Sequence, residues 1–135
     1  MVLTLSARVK TRALWTITLA YMLLIFYASS LPQPAAGTPA AGLDNSVLHV
    51  PEYFVLGVLL KASLVAKRMK LENAFSYSML AGFVYGASDE FHQSFVPGRY
   101  ANLEDLTLNA LGVVLGVLAM YSYAYYKQRK TELSF

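Results

Sequence analysis

Two groups of side chains in this sequence carry the functional groups for binding or acid–base work. The first is His49 and Glu52. The second is Asp89, Glu90, His92, Gln93, Arg99, Asp105 and Asn109. Carboxyl and imidazole groups within reach of each other can trade a proton with a substrate, so Glu52, Glu90, His49 and His92 are the acid–base candidates. An Arg holds anions with a fork of N–H donors and can stabilise developing negative charge. Arg99, with Gln93, Asp105, Asn109 and Asp89, therefore makes the candidate ligand-binding set. His49, Glu52, Glu90, His92 and Asp105 would also suit Zn²⁺ or another divalent ion. No HExxH or comparable signature supports that, so no metal ligand is assigned and a cofactor is left open. The chain has no Cys, which excludes disulfides, thiolate metal sites and Cys nucleophiles. Ser29, Ser30 and Ser88 lie nearby, but none sits in a recognisable nucleophile elbow.

The elements that position these groups are apolar. Of 135 residues, 56% are hydrophobic and 14% charged, and mean hydropathy is +0.44. Soluble domains carry roughly 25% charge, so this is a membrane composition. One domain, 1–135, is expected, with spans at about 13–31, 48–66, 73–91 and 105–126. A helix of about 20 apolar residues crosses the hydrocarbon core. The 73–91 run is the weakest, being rich in Ser, Gly and Tyr, but a helix enclosed by three others need not be apolar all round. The expected class is all-α: a four-helix transmembrane bundle. The Pro- and Gly-rich 32–44 stretch reads as a flexible outer loop, and 92–104 as a second outer loop.

Charge order sets the expected orientation. Arg8, Lys10 and Arg12 precede the first run; Lys67, Arg68 and Lys70 separate the second and third; Lys127, Arg129 and Lys130 follow the fourth. Only Arg99 lies in the other two loops. Basic loops stay cytoplasmic, which predicts both termini inside and a cell-membrane protein whose other end faces the periplasm or cell exterior. The formal net charge of +3 is thus an orientation signal. The basic residues form no single face, so no nucleic-acid partner is expected, and the bilayer itself is the expected partner. The N-terminus also fits a signal peptide, with small residues at Ala28–Ser30, but its apolar run is longer than a usual h-region, so a retained span is expected.

Six of the eight acidic residues (Asp44, Glu52, Asp89, Glu90, Glu104 and Asp105) fall at the outer side. His49, Glu52 and Tyr53 share a helical face, and Pro51 is expected in the first turn of its helix. Lys61 lies about 180° from Glu52 and is expected to snorkel to the inner side. Gly82, Gly86, Asp89 or Glu90, and Gln93 form one stripe; Asp105, Asn109, Gly112 and Gly116 form another. Their small-xxx-small spacing predicts close approach of the third and fourth helices. Val96-Pro97-Gly98-Arg99 reads as a tight turn that folds Arg99 over the carboxylates. Asp105 competes as a helix N-cap, and Tyr121, Tyr123, Tyr125 and Tyr126 read as an inner interfacial belt.

Two blocks resemble the VanZ-like family of small membrane proteins. Asp89-Glu90-x-x-Gln93, Pro97-Gly98-Arg99 and Asp105-x-x-x-Asn109-x-x-Gly112 are similar to its Asp-Glu-x-x-Gln, Pro-Gly-Arg and Asp-x-x-x-Asn-x-x-Gly pattern. His49-Val-Pro-Glu52-Tyr53 through Leu56-Gly57 is similar to its His-x-x-Glu-Tyr…Leu-Gly block. Family members often carry Asp-Lys where Asn45 and Ser46 stand here. The resemblance implies a multi-pass envelope protein, and the family's namesake is linked to resistance to the glycopeptide teicoplanin. It singles out His49, Glu52, Glu90, Gln93, Arg99, Asp105 and Asn109.

Two functions follow as expectations. One is an outward-facing polar pocket that binds a lipid-linked, cell-wall or glycopeptide-type ligand. The other is an intramembrane acid–base or metal-dependent hydrolase or transferase acting on a lipid-linked substrate. Ion or proton transport is less favoured, because the inner halves of the helices are apolar apart from Lys61.

Overall fold

The computed structural model describes residues 2–32 and 46–133, and four α-helices account for most of both segments: α1 (Val2–Ser29), α2 (Ser46–Ala66), α3 (Leu71–Gln93) and α4 (Leu103–Glu132). The expected 32–44 loop lies almost wholly outside the described residues, as does Asp44. Three helices are long and apolar enough to cross a membrane, at Ala7–Ser29, Leu48–Ala66 and Leu103–Glu132. The 73–91 run falls short of that composition, and its burial pattern explains why. The buried face of α3 is Ala74, Ser78, Gly82, Gly86, Asp89, Glu90 and Gln93. Its outer face shows Tyr77, Leu80, Val84 and Phe91, each more than half exposed. A helix polar inside and apolar outside is inverted relative to a soluble one, and suits a lipid surrounding.

Tertiary contacts place α2 at the centre, against the other three helices, with α4 its most extensive partner and α1–α3 contact slight. Ile25, Tyr53, Leu56, Leu60, Val113 and Val117 form the buried core. Glycine sets the closeness of α2 and α4. A Cβ on Gly57 would lie 2.7 Å from the Val113 carbonyl oxygen, and one on Gly112 would lie 2.5 Å from that of Val50. One on Gly116 would collide with the Phe54 carbonyl. The glycine stripe of α4 thus serves α2, not α3 as its spacing alone led us to expect. Gly82 and Gly86 of α3 do face α4, meeting Val113 and Asn109, with Tyr53 of α2 also against Gly86.

Three further expectations are corrected. α2 starts at Ser46, so Pro51 lies inside the helix, beyond its first turn. Lys61 does not snorkel: it is fully buried, donates to the Leu71 carbonyl at the start of α3, and stands 4.8 Å from the Tyr121 ring centroid. The Leu71 carbonyl and two aromatic faces replace water around the ammonium. Tyr121 accordingly packs against Phe75, at 5.8 Å between centroids, while Tyr123, Tyr125 and Tyr126 stay exposed.

Candidate functional site

One end of the bundle collects the polar groups: the last turns of α1 and α3, the first turns of α2 and α4, and the α3–α4 connection. Two hydrogen-bond chains run through it. In the first, His49 Nδ1 lies 2.8 Å from Asn109 Oδ1, and Asn109 Nδ2 donates to Glu90 Oε1 at 3.2 Å. The Asn102 backbone N–H donates to Glu90 Oε2 at 3.3 Å. A carboxylate accepts, so the amide nitrogen of Asn109 must face Glu90 and its oxygen must face His49. His49 Nδ1 is therefore the donor in its bond to Asn109.

The second chain joins Tyr53, Asp89, Gln93 and Arg99. Tyr53 donates its hydroxyl to Asp89 Oδ2 at 3.0 Å, and Gln93 Nε2 donates to the same oxygen at 3.1 Å and to Ser29 Oγ at 3.3 Å. Arg99 Nη1 donates to Gln93 Oε1 at 3.4 Å. Its Nε reaches the Leu31 carbonyl at 3.0 Å and Nη2 the Ala28 carbonyl at 3.1 Å. Arg99 thus clamps the carbonyl end of α1, where the helix dipole favours a cation. The predicted turn is there: Arg99 N donates to Val96 O at 3.1 Å, and Gly98 has φ 79°, the value a type II turn demands of its third residue. The expected fold of Arg99 over the carboxylates is not what this turn delivers, since its three bonds go to two carbonyls and an amide. Three of its five guanidinium N–H donors are engaged among the described residues.

Glu52, His49 and Arg99 line one cavity of about 640 Å³, with Tyr21, Ala28, Ser29, Leu31, Pro32, Leu48, Pro51 and Val55. Glu52 is half-buried and its carboxylate has no hydrogen-bond partner among the described residues. Tyr21 bonds its backbone carbonyl, at 3.1 Å. The remaining candidates stand apart. His92 stacks on Phe26 at 4.3 Å and its Nε2 lies 3.0 Å from Ser30 Oγ. The Ser30 hydroxyl donates to the Phe26 carbonyl at 2.7 Å, so it accepts from His92, the wrong way round for a His base acting on a Ser nucleophile. Asp105 sits at the third residue of α4 and makes no cap; Asn102 is the N-cap, accepting from Glu104 N at 3.0 Å. One oxygen each of Asp89 and Asp105 is buried without a partner among the described residues. Among the described residues, no three of His, Asp and Glu converge as a metal-ligand set.

Sequence reasoning placed Tyr53 on the His49 face without a role, and passed over Asn102. Tyr53 shares the His49 face at the i+4 position, and a wholly buried Tyr needs a hydroxyl partner, which Asp89 supplies. Asn102 stands just before the apolar run of α4, the usual place for a cap residue.

The fold and this buried polar end define a small helical membrane protein with a polar cluster at one end of its helices. The chain belongs to the VanZ/LLP1 family, whose profile matches residues 5–124. No curated protein and no solved structure matches the chain.

Proposed function

We propose that this protein binds an amphiphilic ligand of the cell envelope, a lipid-linked cell-wall precursor or acylated glycopeptide, in the Glu52–His49–Arg99 cavity. The observation that carries this reading is the mixed lining of that cavity. Arg99 and Glu52 can engage polar and anionic groups, while Leu31, Leu48 and Val55 supply an apolar wall. Arg99 and the carbonyl end of α1 fix the cavity mouth, so the site is preorganised. The three basic clusters fall at the opposite end of the bundle, which supports a plasma-membrane setting with the cavity facing outward. The test is binding of a lipid-linked precursor and of an acylated glycopeptide to purified protein in micelles. Glu52→Gln and Arg99→Ala should weaken it together; equal binding by wild type and both variants would overturn the reading.

The His49–Asn109–Glu90 chain favours a second reading, hydrolysis or transfer on the same ligand class. It orients the His49 imidazole through Nδ1, as an acid–base group requires. His49→Gln would then abolish turnover while ligand affinity persists. An absence of any turnover by the wild type on these ligands rejects it.

A further inference from the structure

At the end of the bundle opposite the Glu52 cavity, a second cavity of about 540 Å³ is lined by Ala7, Arg8, Thr11, Arg12, Ala66, Lys67 and Arg68. Four of its seven lining residues are cationic and none is acidic. An orientation signal needs basic residues in the loop, but not their convergence from two helices that are far apart in sequence. Here α1 and the end of α2 are pinned together: Thr11 Oγ1 lies 2.9 Å from the Ala66 carbonyl, and Lys67 is held over the Trp15 ring, 5.0 Å from its centroid. Ala7 and Ala66 leave the space that larger residues would fill. Arg68 is also the one non-glycine residue with positive φ among those described, at 61°. A helix end of this kind usually takes Gly, because a side chain is strained there. A basic residue kept at a strained position points to a role for its charge at that spot.

We propose that this cavity binds the phosphodiester headgroup of an anionic phospholipid. Its depth and its surroundings favour a lipid over a soluble phosphate. The uncharged part of the first span begins after Arg12 and the second span ends at Ala66, so the four cations lie at headgroup level, with Trp15 beside them as an interfacial aromatic. The α1 face that carries Arg8 and Arg12 continues at helical spacing as Leu19 and Leu23, which are 55% and 69% exposed. From Arg12 to Leu23 is about 16 Å along the helix, near the depth of one leaflet. A headgroup held by the cations thus places an acyl chain along Leu19 and Leu23. Basic pockets between membrane helices bind anionic headgroups by the same charge and hydrogen-bond complementarity.

Trp15 is the only Trp in the chain, which makes the site report on itself. Full-length protein is placed in phosphatidylcholine discs, and Trp15 quenching is measured with brominated phosphatidylglycerol and with brominated phosphatidylcholine. Phosphatidylglycerol should quench at much lower mole fraction. Arg68→Gly should lower that preference about fivefold, the contribution of one cation near a lipid surface, while thermal stability holds or rises because the backbone strain is relieved. Arg12→Gln, on an exposed helix side, should lower it similarly. A triple variant, Lys127→Gln, Arg129→Gln and Lys130→Gln, removes as much charge or more from the same end of the bundle and should leave the preference unchanged. Equal quenching by the two lipids, an equal loss in the triple variant, or displacement of phosphatidylglycerol by inorganic phosphate would each overturn the proposal.

Discussion

Gly112→Ala tests whether the contact between α2 and α4 builds the polar end. A Cβ there would lie 2.5 Å from the Val50 carbonyl oxygen, 2.8 Å from Tyr53 Cβ and 3.0 Å from the Phe54 nitrogen. Two of these are backbone atoms, which cannot rotate away. Ordinary contact begins near 3.4 Å, so the helices must part by about 0.9 Å in an interior already close-packed. Asn109 lies one turn before Gly112 and holds His49 at 2.8 Å. The same displacement stretches that bond to about 3.7 Å, which no longer counts as one. Overpacking costs about 1–3 kcal/mol. Leaving the buried His49 and Asn109 groups unpaired adds about 1–3 kcal/mol. Thermal unfolding in micelles should therefore show a loss of about 2–6 kcal/mol, and ¹⁵N shifts should show His49 Nδ1 released from its hydrogen bond to Asn109. Gly86→Ala is the control within the same site. Its Cβ meets Tyr53 Cε1 at 3.3 Å and Asn109 Cβ at 3.4 Å, and replacing a helical Gly returns about 0.5–1 kcal/mol. It should be neutral or slightly stabilising. A Gly112→Ala protein as stable as wild type, or a Gly86→Ala protein that falls equally far, would refute the reasoning.

Tyr53→Phe removes one of the two donors on Asp89 Oδ2 and should cost about 1–3 kcal/mol in the same unfolding measurement, because the carboxylate stays buried. Asn102→Ala deletes the N-cap of α4 and should cost about 0.5–2 kcal/mol, with Asn102→Asp restoring most of it. Arg99→Lys cannot reproduce a fork that spans the Ala28 and Leu31 carbonyls and Gln93. It should destabilise by about 1–3 kcal/mol, and proteolysis should detect a looser end of α1; unchanged protection there would argue against the clamp.

The all-helical class was legible from apolar run lengths, and the turn at Pro97–Gly98 from its residue types, because both are properties of local chain. The inward face of α3 was legible as well. Gly82, Gly86, Asp89, Glu90 and Gln93 recur at helical spacing, and all five are buried. Partner choice was not legible. The spacing of Gly112 and Gly116 announces a close neighbour, but either α2 or α3 would satisfy it, and only packing selects α2. Arg99 shows the same limit. Its turn aims it toward three carboxylates in sequence, whereas in space its donors reach the Ala28 and Leu31 carbonyls at the end of α1.

The sequence by itself determined which residues are polar within an apolar chain, and on which end of the helices they fall. The tertiary structure alone decided how they divide. Asp89 and Glu90 are adjacent in the chain, yet a helix turns successive side chains about 100° apart. One therefore joins Tyr53 and Gln93, and the other joins Asn109 and, through it, His49. Neither chain of contacts can be written down before α2, α3 and α4 are packed, because the links Tyr53–Asp89, Asn109–Glu90 and His49–Asn109 cross between helices whose distance and rotation are set by the glycines at their crossings.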